Sequence, residues 1–121
     1  MRQLTKAQEE IMQLIWDIGE CTVGNIRDEI EKRTGSKPPH STVSAIVLAL
    51  DKHGFVTHKT YGRTFVYQAA MTREEYGRKS LTDVMKNYFG GSPNRLVAHL
   101  AKRENLDLDT INDLLNKLEE E

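Results

Sequence analysis

Residues 58–68 read HKTYGRTFVYQ, two short β-prone runs folded about a glycine in a chain whose other apolar residues recur at helical spacing. Phe65, Tyr67 and Ala69 alternate with Thr64, Val66 and Gln68, the period of a strand with one buried face. The stretch FVTHK (55–59) supplies the partner strand, and Tyr61, Gly62 and Arg63 form the tip. A two-stranded hairpin of this size is not stable alone. Its aromatic face is therefore expected to pack against helices, with the tip left to meet a partner.

Three short helices precede it. Thr5 and Gln8 form a capping-box pair, and Ala7, Ile11, Leu14, Ile15 and Ile18 fall on one face before Gly19 ends the helix. Met12 and Trp16 form a second apolar edge, so this helix is expected to be gripped by two neighbours. Thr22 caps a second helix with Val23, Ile26 and Ile30 inward, and RTGSKPP breaks it, because Pro38 and Pro39 cannot lie inside a helix. His40 or Ser41 starts a third, with Val43, Ile46, Val47 and Leu50 inward and Gly54 at its end.

After the hairpin, Thr72 and Glu75 form a further capping box, opening a helix that carries Tyr76, Leu81, Val84, Met85 and Tyr88. In GGSP (90–93) the glycines stop it, Ser92 caps the next helix and Pro93 takes its first turn. Leu96, Val97 and Leu100 line that helix, and Asp107 caps a last one with Ile111, Leu114, Leu115 and Leu118. These helices are too short a stretch for an independent core. Pairing with a second copy through Tyr76, Val84, Tyr88, Leu96, Leu100, Ile111, Leu114, Leu115 and Leu118 is the economical solution. Folding back onto the first domain is the alternative. The expected architecture is mainly α with a small β-hairpin: a winged helix-turn-helix DNA-binding domain over 1–70, then a helical dimerisation domain over 71–121.

The 121 residues carry a net charge of −1, which by itself does not point to nucleic acid. Its distribution says more: residues 36–68 hold Lys37, Lys52, Lys59 and Arg63 against Asp51 alone, whereas residues 71–121 hold eight basic and ten acidic side chains, so the positive part lies around the hairpin. The longest apolar run, AIVLAL (45–50), is too short to span a bilayer, and MRQLTKAQEE lacks the apolar core of a secretory signal. A single cysteine, Cys21, cannot form an internal disulfide and fits a reducing cytoplasm, as core filler. His40, His53, His58 and His99 are scattered without ligand spacing, so no metal or other cofactor is expected. No phosphate loop, nucleophile elbow or framed carboxylate pair is present, so the chain reads as a non-enzyme.

Three helices and a hairpin make a winged helix, in which the third helix enters the major groove of duplex DNA by its amino-terminal residues. That start is polar: His40, Ser41, Thr42 and Ser44. Arg63 at the wing tip is placed for phosphate or minor groove, Tyr61 for sugar-phosphate, and Lys37, Lys52 and Lys59 for backbone charge. His53 and His58 are expected at the surface. A solvated turn residue is the plain alternative for Arg63. Ala45, Leu48 and Ala49 lie on the same outward face, where small apolar groups contact thymine methyls or, alternatively, another protein. A protein-interaction module is therefore one rival reading. A regulator gated by a ligand at a dimer junction near Trp16 and Tyr76 is another.

The segments LTKAQEEIMQLIWDIGECTVGNI, HSTVSAIVLALDKHGFV and HKTYGRTFVYQA resemble the penicillinase repressor family of bacterial winged-helix regulators. The shared features include the leading helix with its Trp, the Thr-Val openings and the wing pattern Gly62, Arg63, Phe65, Tyr67. INDLLNKLEE (111–120) matches in kind. The resemblance implies a homodimeric transcriptional repressor on a palindromic operator, controlling β-lactam resistance or other stress genes. In the best-known members, release follows cleavage of the carboxy-terminal domain triggered by a membrane sensor with a protease domain. Three departures bear on this. Ala45 stands where the family often has a second Thr, and Ala49 where many members have Arg. His99-Leu100 replaces the usual Asn-Phe cleavage pair. No cysteine follows Cys21, unlike the copper-responsive relatives.

Overall fold

The computed structural model describes residues 3–103 together with Asp109, Asp113 and Asn116. The chain divides into two compact units, Met1–Arg73 and Glu74–Glu121.

The first unit holds α1 (Lys6–Ile18), α2 (Val23–Thr34) and α3 (His40–Lys52), then β1 (Val56–Tyr61) and β2 (Thr64–Ala69). Reciprocal capping boxes open α1 through Thr5 and Gln8 and α2 through Thr22 and Asn25, each satisfying two amides that a helix start leaves without partners. The second box pairs a threonine with an asparagine, a variant of the usual pattern. Helix α1 packs on α2, α3 and β2, which explains its wide apolar arc: Ile11, Met12, Leu14 and Ile15 are all buried. Ala7 and Ile18, expected inward, are exposed. They sit in the terminal turns, where the neighbouring elements no longer cover the helix.

The inward face of α3 is Val43, Val47 and Leu50, with Ile46 half-buried at its margin. Together with Met12, Ile15, Ile26, Phe55 and Val56 they form the core. A loop bond, Phe55 N–H to Leu50 C=O at 2.9 Å, turns the chain from α3 into β1.

The hairpin is antiparallel, pairing Val56 with Ala69, His58 with Tyr67 and Tyr61 with Thr64. Gly62 and Arg63 alone make the turn, with Gly62 at φ 63°, the left-handed region that glycine occupies without strain. Tyr61 is thus the last residue of β1 rather than part of the turn. The expected aromatic packing holds for Tyr67, which is buried, but not for Phe65, which is 47% exposed. Both share one face of the ribbon, yet Phe65 lies beside the turn, where the strands have passed the helices. The base of the hairpin is anchored by a third strand position. Cys21 N–H donates to Tyr67 C=O at 2.9 Å, and Tyr67 N–H donates to Cys21 C=O at 2.7 Å. Burial pushes the Cys21 thiol up to about 11, so at neutral pH it is an uncharged core side chain.

Arg73 closes the unit. Its guanidinium bonds Asp17 and the side chain of Gln13 and lies 5.6 Å from the Trp16 ring centre. Arg73, then Arg33, hold the Asp17 carboxyl below its usual range. The Trp16 indole N–H donates to Met71 C=O at 2.9 Å, so its polar atom is engaged within this unit.

In the second unit, α4 (Arg73–Tyr88) continues past Arg73 and is followed by α5 (Pro93–Arg103). Gly90 and Gly91 take positive φ, and Gly91 N–H returns to Met85 C=O at 2.8 Å, closing α4. Ser92 Oγ accepts from Arg95 N–H, and Pro93 takes the first turn of α5. Met85 and Leu96 are buried. The expected last helix, with Ile111, Leu114, Leu115 and Leu118, lies outside the described residues.

Met12→Ala empties a fully buried position and is expected to cost about 2–5 kcal/mol in chemical denaturation. Ile18→Ala, at the exposed end of the same helix, should cost a small fraction of that. Equal losses would contradict the packing described for α1.

Candidate nucleic-acid interface

Helix α3 begins differently from the two before it. Pro39 occupies the cap position and provides no side-chain bond, so the first amides of α3 lack the partners that threonine gives α1 and α2. The loop before it is fixed by Arg27 Nε–H donating to Pro38 C=O at 2.9 Å. The result is a rigidly placed, uncapped helix start, with the positive end of its dipole facing solvent. An anion completes such a terminus.

His40, Ser41 and Thr42 are exposed there and Ser44 is half-buried. A cleft of about 420 Å³ runs from this start to the wing, lined by Thr22, His40, Ser44, Arg63, Phe65 and Tyr67 among others. Three of the nominated residues, His40, Ser44 and Arg63, therefore share one concave surface. Phe65 joins them, a residue that strand periodicity assigned to the core; its position next to the turn was the signal that it would fall short of the helices. Ser41, Thr42 and Lys52 lie along the outer side of α3, outside the cleft. Lys59 and Tyr61 are on the other face of the wing from Phe65, as the pairing register requires. Tyr61 is 58% exposed.

The nominated lysines and Arg63 are not equivalent. Lys52 and Arg63 have no carboxylate partner among the described residues. Lys37 bonds Asp28 at 2.7 Å and Lys59 approaches Glu20 at 3.7 Å. The Lys37 ammonium, through that hydrogen bond and its charge, holds the Asp28 carboxyl below the usual carboxylate range. His58, expected at the surface, is exposed there; it also pairs with Asp51 at the end of α3 and packs 5.0 Å from Phe65 and 5.8 Å from Tyr67, ring centre to ring centre. It ties β1 to α3, and His53 is exposed beside it. Burial first, then the nearby Asp51 charge, raise the Tyr67 phenol.

Among the described residues no cluster of three ligating side chains stands ready for a metal ion, and no helix is long and apolar enough to cross a membrane. What the surface offers is an uncapped helix terminus, a serine hydroxyl, an aromatic ring and Arg63 around one cleft, with Ser41, Thr42 and Lys52 along the outer side of α3. That combination suits a phosphate backbone with base edges beside it.

Comparison with known proteins agrees. Residues 4–120 match the family described as Penicillinase repressor. The chain is 26% identical over 118 residues to the penicillinase repressor of Bacillus licheniformis, covering 98% of this chain and 91% of that one. It is also 26% identical over 116 residues to the methicillin resistance regulatory protein MecI of Staphylococcus aureus strain N315, covering 96% and 93%. Among solved structures it is similar to the monomeric form of Bacillus licheniformis BlaI in complex with the blaP half-operator, with TM-score 0.50 and 27% identity over 62% of this chain and 89% of that one. The DNA-binding domain of the repressor BlaI gives the same TM-score and identity over 59% and 84%.

Asp28→Ala removes a negative charge beside the start of α3 and releases Lys37. Binding to duplex DNA of any sequence should tighten severalfold at low salt, with a salt slope steeper by up to about one. Unchanged affinity and slope would remove Lys37 from the backbone contacts.

Proposed function

The chain belongs to the penicillinase repressor family, and on that premise we propose that it is a DNA-binding transcriptional repressor, not an enzyme, acting in the cytoplasm as a homodimer on a palindromic operator. The observation that carries this is the placement of His40, Ser44 and Arg63 on one cleft between the uncapped start of α3 and the wing. In use, α3 enters the major groove by its first turn. Ser41, Thr42 and Ser44 meet base edges or phosphate, and the free amides of that turn take a phosphate oxygen. Arg63 reaches the backbone or the minor groove from the wing, Tyr61 packs on sugar-phosphate, and Lys37, Lys52 and Lys59 add charge.

One α3 covers only a few base pairs, so occupancy at cellular concentrations calls for two copies; a two-fold dimer then requires a palindrome. The second unit supplies the apolar surface for pairing. Tyr88 is 78% exposed, and Tyr76, Val84 and Leu100 are half-buried in one copy. Leu96, nominated with them, is already buried within the single chain and supports the pairing face from behind. The relatives are named for penicillinase and methicillin resistance, and we extend the reading to control of β-lactam resistance or stress genes. A sensor-linked protease is a less natural partner here. His99 and Leu100 lie inside α5, and the His99 ring packs 5.6 Å from that of Phe89. A cut between them requires α5 to unwind first, since proteases take exposed, extended chain.

Fluorescence anisotropy of the full chain on DNA from upstream of its own gene, against a scrambled duplex across a salt series, tests the reading. Preference for the upstream duplex at two protomers per site is expected. Arg63→Ala should then weaken both duplexes alike and flatten the salt slope by about one. Equal or absent binding to the two duplexes would overturn the repressor function.

A further inference from the structure

The centre of the outward ridge of α3 has a composition that the phosphate contacts do not use. At 100° per residue, Ser41, Ala45, Leu48 and Lys52 fall within a narrow arc, opposite the buried Val43, Val47 and Leu50. All four are exposed, and Leu48 is 51% exposed. The ridge is thus polar at both ends and purely hydrocarbon at its centre. A single exposed leucine is ordinary on a protein surface. This one stands at the middle of the ridge that enters the groove.

Resting on the DNA-binding reading above, we propose that Leu48, with Ala45, reads thymine 5-methyl groups in the major groove and so sets the base preference at the centre of each half-site. The reason is chemical. Ala45 and Leu48 have no donor or acceptor, so they cannot take guanine or adenine by the bidentate bonds that Arg, Asn or Gln make. Pressed against a polar base edge, they would strip its water and return no hydrogen bond, which is costly. The thymine methyl is the one apolar group that a base edge shows in this groove. Ser41 and Thr42 on one side and Lys52 on the other then flank a thymine-bearing step with polar contacts.

The test begins by selecting duplexes from a random pool with the full-length protein. Each thymidine of the enriched sequence is then replaced singly by deoxyuridine, which removes only the methyl and preserves base pairing. At one or two positions per half-site the replacement should weaken binding about fourfold per methyl, and Leu48→Ala should abolish that penalty while still binding the duplex. Equal binding of thymidine and deoxyuridine duplexes would overturn the inference and leave the repressor reading intact. A penalty that persists in Leu48→Ala would overturn the assignment to this side chain. If no sequence is enriched, the DNA-binding reading falls and the inference with it.

Discussion

Two backbone hydrogen bonds between Cys21 and Tyr67 hold the wing to the helical body, and the geometry of the interface depends on them. A hairpin joined by a two-residue turn buries little. Here it is fixed twice, by the exchange of bonds with Cys21, the residue before the Thr22 cap of α2, and by burial of the Tyr67 ring. The strand that buries Tyr67 presents Phe65 to the cleft two residues earlier, and the turn that enters it presents Arg63 two residues before that. Because α2 starts two residues after Cys21, its first turn and the wing share an anchor, and Thr22, Val23 and Gly24 line the cleft beside Arg63 and Phe65. His58, paired with Asp51, adds a tie from β1 to the far end of α3. The backbone of Cys21 and the position of Arg63 are therefore linked through Tyr67 and a few covalent steps of the chain.

Charge works locally in this protein. With a net charge of −1 the molecule as a whole offers a polyanion little long-range attraction, and Lys37 and Lys59 are already paired. Affinity must then come from close contacts whose geometry is set in advance: an uncapped helix start, hydroxyls at its first turn, and Arg63 on a turn that needs glycine. The hydrocarbon centre of the α3 ridge belongs to the same economy, since it gains from the right base step and loses at the wrong one.

Much of this was legible from the chain. Capping residues at Thr5, Thr22 and Ser92, the break at Pro38-Pro39 and the Gly62 turn are local signals, and local signals place elements well. The wing motif named the fold because few arrangements put one hairpin after three short helices. What was not legible depends on tertiary neighbours. Phe65 and Tyr67 have the same period and hydrophobicity, yet only Tyr67 reaches the helices. The carboxylates that occupy Lys37 and Lys59 come from α2 and from the turn before it, and the bond between Cys21 and Tyr67 joins residues far apart in sequence with no side-chain signature. Within the candidate site, the residue types at the start of α3 were plain, but which of them share a surface with Arg63 was fixed only by the fold.

An open groove of about 410 Å³ between α1 and α2, lined by Glu10, Leu14, Ile30 and Arg33 among others, offers a natural contrast to the cleft between α3 and the wing. Amide chemical shifts of the isotopically labelled full chain, followed as duplex DNA from upstream of its own gene is added, compare the two surfaces in one experiment. The account predicts saturable shifts centred on His40–Ser44 and Gly62–Thr64, with the groove between α1 and α2 unaffected. Shifts concentrated on Glu10, Leu14, Ile30 and Arg33, with the start of α3 and the wing unchanged, would contradict it.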